Sequence, residues 1–162
     1  MSALKRKTEL AFAAVIATLA GIPMTTDADG NSVPSIVKGA DGSDLNLDRV
    51  VVACLGGPEQ PQNSGNRLYQ VRVTVISSAD QVEGDEDDDP EERHFANCGA
   101  VFEGLTALAA GSDINALLSA AVADFYVYED SFNELGEDPD IQGRAWEEAR
   151  IYSVYVCGRD LT

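Results

Sequence analysis

The sequence predicts an α+β fold: an antiparallel sheet of about four strands, helices packed on one of its faces, and a helix at the N-terminus. Three observations carry that expectation. Some segments alternate with the period of strands, and others repeat with the period of helices. The two kinds are segregated along the chain, in the order helix, two strands, two helices, two strands. There is no internal repeat, and 162 residues at 44% hydrophobic composition fit one domain with a sizeable core.

Ala3 to Leu19 is rich in Ala and Leu with no internal Gly or Pro, which favours helix. Leu4, Ala11, Val15 and Leu19 share its apolar face, while Lys5, Glu9 and Thr18 are expected to face water. Gly21 and Pro23 end it. From Thr25 to Asp48 the chain turns to Asp, Gly, Asn and Ser, the composition of a loop with room for a short strand around Ser35 to Lys38. Arg49 to Leu55 (RVVVACL) is a β-branched run closed by Gly56, Gly57 and Pro58, as in a buried strand. Leu68 to Ser77 (LYQVRVTVIS) alternates, with Tyr69, Val71, Val73 and Val75 on one face and Gln70, Arg72 and Thr74 on the other. These two strands are expected to pair antiparallel across a long connection.

Glu83 to Glu92 holds eight acidic residues in ten. Charge at that density repels itself, so a mobile surface loop is expected. Helix returns at Arg93, where His94, Cys98, Val101, Phe102, Leu105 and Leu108 form an apolar stripe that Gly111 ends. Ser112 or Asp113 caps another helix, carrying Ile114, Leu117, Leu118 and Ala121. Phe125 to Tyr128 is expected as a short strand and Glu129 to Asp140 as a second acidic loop. The last strand is Ala149 to Cys157 (ARIYSVYVC), with Ile151, Tyr155 and Cys157 opposite Arg150 and Tyr152.

Charge narrows the function. Twenty-eight Asp and Glu against 11 Lys and Arg give a formal charge of −17. Such a surface repels anionic membranes and nucleic-acid phosphates, and it lacks the basic clusters that phosphate binding requires. Three scattered cysteines, an odd number, read as reduced thiols rather than a disulfide framework. Lys5, Arg6 and Lys7 ahead of the apolar run Leu10 to Ala20 have the outline of a signal peptide. Glu9 at the head of the run, and a length short of the roughly 20 residues a bilayer span needs, favour an amphipathic helix instead.

Few residues offer chemistry. His94, the one histidine, lies one helical turn before Cys98, the only pairing with the outline of a nucleophile and its base. Both fall on the apolar stripe, where such residues are commonly core. Three Cys and one His lack the paired spacing of a zinc site. Asp27 to Asn31 begins like a calcium loop, but Ser32 and Lys38 stand where the loop needs Gly and Glu. There is no glycine motif for phosphates. The sequence therefore predicts no catalytic residue, metal ligand or cofactor. Aromatic residues gather in the last strand pair, and the period of 2 turns half of them away from the core. Exposed Tyr and Trp are enriched at interfaces, which makes Tyr126, Tyr128, Trp146 and Tyr152 the candidate assembly residues.

The series of elements can be taken together, as patterns of residue type. It comprises the N-terminal helix, the VVVACLGG and YQVRVTVISSAD strands, a helix opening with ERHFANCGAVFEGL, the SDINALL helix, the FYVY strand and the closing RAWEEARIYSVYVC. That series resembles the tail terminator (tail completion) proteins of tailed bacteriophages. The resemblance covers most of the chain from Arg49 onward, within a single domain of residues 1–162, and leaves residues near 25–48 and 79–92 as insertions. It implies a structural virion protein of the tail or neck, assembled in the host cytoplasm, and not an enzyme. Such a protein forms a homo-oligomeric ring, hexameric in expectation, on the end of the tail tube. Its partners would be the tail tube protein and the neck or connector proteins, with DNA passing through without specific binding and no membrane involved. A ring subunit needs two different complementary surfaces. An acidic lumen would let DNA slide.

Two alternatives remain open on the sequence. One is another head–tail connector or neck subunit. The other is an acidic inhibitor that mimics DNA. Net charge favours that reading, whereas the confinement of 14 acids to two Gly- and Pro-bearing loops counts against it.

Overall fold

Two long strands at the centre of a sheet fix the positions of everything else. In the computed structural model, which describes residues 3–39, 47–59, 65–80, 82, 84–111, 113–138 and 146–158, the chain is mixed α+β. Helix α1 spans Ala3–Ile16, β1 Met24–Thr26, β2 Ser32–Pro34, β3 Ile36–Lys38, β4 Arg49–Gly56 and β5 Arg67–Ile76. A helical rod follows, formed by α2 (Pro90–Cys98), a π-helical turn (Gly99–Glu103) and α3 (Gly104–Gly111). Then come α4 (Ile114–Ala121), β6 (Asn133–Glu137) and β7 (Glu147–Val156).

The main sheet has five strands in the order β3-β4-β5-β7-β6, all antiparallel except β3, which runs parallel to β4. Strands β1 and β2 form a separate hairpin. Register explains the core. Val52 faces Val73, Val50 faces Val75, and Tyr69 and Val71 face Val154 and Tyr152. Directly opposed residues share a face, so all of these point to one side. There they meet Phe12, Ile16, Val101, Phe102, Leu105 and Leu118 in a single core cluster. The helices thus lie on one face, as the alternation of β5 predicted.

The differences from the sequence reading have physical causes. The run Phe125 to Tyr128 contributes only an isolated bridge, Val127 to Val156. Asp124 and Asp130 take left-handed φ of 58° on either side of it, and the Val127 N–H is taken by Ser119 Oγ at 2.8 Å. The fifth strand is instead β6, inside the expected acidic loop. Its bulge, where Gly136 takes φ of 118°, turns Leu135 outward. Helix α2 starts at Pro90, not Arg93. Asp89 caps it by accepting from the Glu91 N–H at 3.0 Å, with Pro90, Glu91 and Glu92 in the first turn. Glu9, expected in water, is 1% exposed and accepts the Cys54 N–H at 2.9 Å. The calcium-like segment is an Asx turn: Asp27 Oδ1 accepts from the Asp29 and Asn31 N–H groups, both at 2.9 Å. Leu108 is only half-buried, in keeping with the lag that a π turn introduces into the stripe.

Candidate assembly surfaces

The four aromatic residues singled out in the sequence fall in three places. Tyr126 and Tyr128 lie beside the end of β7, tied by Tyr128 N–H to the Tyr155 carbonyl (2.9 Å) and Cys157 N–H to the Tyr126 carbonyl (3.0 Å). Their rings make a ladder with Tyr155, at centroid distances of 5.2 Å and 4.6 Å. Tyr126 is its exposed member, at 41%. Tyr155 belongs to this patch and was missed, because period alone does not say which face of β7 is covered. Tyr152 has 0% exposure, 5.3 Å from Phe132 and 6.5 Å from Phe12. Burial drives its phenol well above the ordinary pKa. It is a core residue, and its assignment to an interface is withdrawn. Trp146 sits at the opposite end of β7, roughly 30 Å from the ladder at about 3.4 Å per residue, edge-on to His94 at 6.0 Å.

His94 and Cys98 do meet, with Nε2 and Sγ 3.5 Å apart. Their surroundings decide what the pair can do. His94 Nδ1 shares a 2.8 Å hydrogen bond with Ser77 Oγ, which also accepts from Asn97 Nδ2 at 3.0 Å. All four residues are buried. Burial, with Glu148 beside it, drives the Cys98 thiol far above its ordinary value. Burial also lowers the imidazole of His94, against the pull of Glu148 and Asp48. A neutral thiol beside a neutral, sealed imidazole is no poised nucleophile. Among the described residues, no three His, Cys, Asp or Glu side chains are placed to share a metal ion.

Next to this cluster lies an unexpected organising residue. Arg93 Nε donates to Asp48 Oδ2 at 2.9 Å, Nη2 donates to the Ser78 and Asp80 carbonyls at 2.8 and 3.1 Å, and Nη1 pairs with Asp88. Partial burial opposes the charge on Arg93, but its hydrogen bonds to Asp88 and Asp48 outweigh it and raise the guanidinium pKa. Asp88, held by Arg93 and by the Val82 N–H, is lowered in turn. The described part of the acidic block is therefore a built arm with its own turns, from Val82 to the start of α2.

The other helical surface is made differently. From Leu10 to Thr26, and again from Ile114 to Ala123, the sequence has no ionisable side chain. These segments come together because α1 packs on α4. Two grooves open there. The smaller, about 240 Å³, is lined by Ala14, Val15, Thr18, Leu117, Ala120 and Ala121. The larger, about 600 Å³, runs between α1, Pro34 to Lys38 and the end of α4. Leu117 is 42% exposed on this surface. In a chain of charge −17, exposed helix without charge is the feature least expected of a free surface. No family model matches the sequence, and no curated protein is similar to it.

Proposed function

We propose that this chain is a structural subunit that works by assembling with copies of itself, as a ring-forming tail terminator at the end of a phage tail tube. The observation that carries the reading is the charge-free, partly exposed surface made by α1 from Leu10 onward and by α4 in an otherwise strongly acidic chain. The resemblance read on the sequence, whose FYVY segment the fold reduces to a bridge, supplies the ring, its hexameric expectation, its virion location and its partners: the tail tube protein and the neck or connector proteins. The sealed state of His94 and Cys98 supports a protein whose work is shape and charge rather than bond making. Another neck or connector subunit would use the same surface. Sedimentation velocity and negative-stain microscopy of the purified chain test the reading. Closed rings are expected, and labelled protein should sit at the head-proximal end of the tail in particles. A chain that stays monomeric at high concentration overturns it.

One observation favours a second reading. Arg93 holds the acidic arm in a defined shape, and a DNA mimic needs fixed carboxylates. Salt-sensitive competition with DNA for a nuclease would support that inhibitor role, and its absence would remove it.

A further inference from the structure

Cations are scarce in this chain, and they are unevenly placed. Of the 11 Lys and Arg, three (Lys5, Arg6 and Lys7) stand in the first turns of α1. Arg6 Nη1 donates to the Lys38 carbonyl at 3.1 Å, which brings β3 and its lysine to the same corner. Lys7 Nζ reaches the Asp124 carbonyl at 3.3 Å. The larger groove opens between these points. Lys38 is part of its wall on one side and Ala123, next to Asp124, on the other, while Leu10, Ala13, Ile36 and Val122 line it between them. It is an apolar trough flanked by lysines.

The arm has the complementary pattern. Seven acids lie between Asp85 and Glu92, and exposed apolar side chains stand at each end, Val82 and Phe95, the latter 65% exposed. Within its own chain the arm is committed elsewhere, by Arg93 to Asp48 and Ser78. We infer that the lysine-flanked groove of one copy receives the acidic arm of the next, head to tail. This contact rests on the self-assembly reading above and gives it a direction. Arm and groove are different surfaces, so each copy offers one of each and the contact is heterologous, as ring closure requires. Opposite charges set register, and the apolar ends bury against the trough. Net repulsion between two acidic copies is screened beyond about 8 Å at physiological salt, which leaves contact-range pairs to decide.

Charge reversal tests the contact in the full chain by sedimentation velocity at physiological salt. One variant carries Lys7→Glu with Lys38→Glu, and the other Asp87→Lys with Glu91→Lys. Each alone should associate at least about tenfold more weakly than the parent, since the reversed side chains then face like charge, although five acids remain in the second variant's arm. An equimolar mixture should recover association, because both kinds of junction become complementary, and that recovery also shows that both variants are folded. The contact is overturned if either variant alone assembles as tightly as the parent, or if mixing restores nothing. A parent chain that is itself monomeric overturns the self-assembly reading, and this contact with it. An assembling parent indifferent to both reversals removes this contact alone.

Discussion

The helical layer contains two regions built on opposite principles. Around the later turns of α1, beyond Glu9, and α4 the joints are apolar: Phe12 lies 6.2 Å from Phe132 and 6.5 Å from Tyr152, and alanines line the outer grooves. Around the start of α2 the joints are polar, with Arg93, Asp48, Asn97, Ser77 and His94 linked in one chain of hydrogen bonds. The difference teaches how an acidic chain allocates its charge. Carboxylates collect where a guanidinium, backbone N–H groups or water can satisfy them, and the cost of burying them is kept off the surface at α1 and α4.

The comparison can be broken from either side. The largest effect is expected in the apolar region, where Phe12→Ala should cost about 4 kcal/mol in a urea titration. A loss below about 1 kcal/mol would mean that this packing does not hold α1 to the sheet. In the polar region, Arg93→Leu should cost about 3 kcal/mol, because Asp48 keeps its partly buried charge and, though Asn97 and the Ser78 N–H still donate to it, loses its cationic partner. Asp89→Ala removes a cap and should cost about 1 kcal/mol in the same assay. A pH series sharpens the contrast further. His94 has a folded pKa below its unfolded value near 6.5. The stability it confers as a neutral ring is therefore complete above that value and is lost as pH falls through the folded one. The gap in urea midpoint between the parent and His94→Asn should narrow from about pH 7.5 to about pH 5. A constant gap would show that the ring does not titrate against folding. The smallest stability effect belongs to Leu117→Glu, within about 0.5 kcal/mol, yet it should weaken association as seen by sedimentation.

The long central elements were legible because their periods are strong. The alternation in LYQVRVTVIS admits one inward face, and the continuous run VVVACL marks a strand covered on both sides, as the burial of Arg49 to Val52 bears out. Where the reading failed, local composition was overruled by a partner outside the segment. Asn133 to Glu137 reads as an acidic loop, and β7 makes it a strand. Phe125 to Tyr128 reads as a strand, and flanking turns with Ser119 reduce it to a bridge. Glu9 reads as solvent-facing, and the backbone of Cys54 draws it in. Of the candidate interface, Tyr126 is exposed and Tyr128 half-buried beside β7, whereas placing Tyr152 required knowing which side of β7 the helices cover. The grooves were invisible, because they exist only where α1 meets α4 and, for the larger one, β3.

One consequence of the Arg93 clasp concerns entropy. A floppy acidic tail would surrender many conformations on docking, and that loss would offset much of its attraction. Here the Arg93 guanidinium ties the segment to the body of the protein, so its negative face is preorganised before any encounter. Loosening the clasp without unfolding the domain, as Arg93→Lys would, should therefore leave the charge count intact while slowing productive capture.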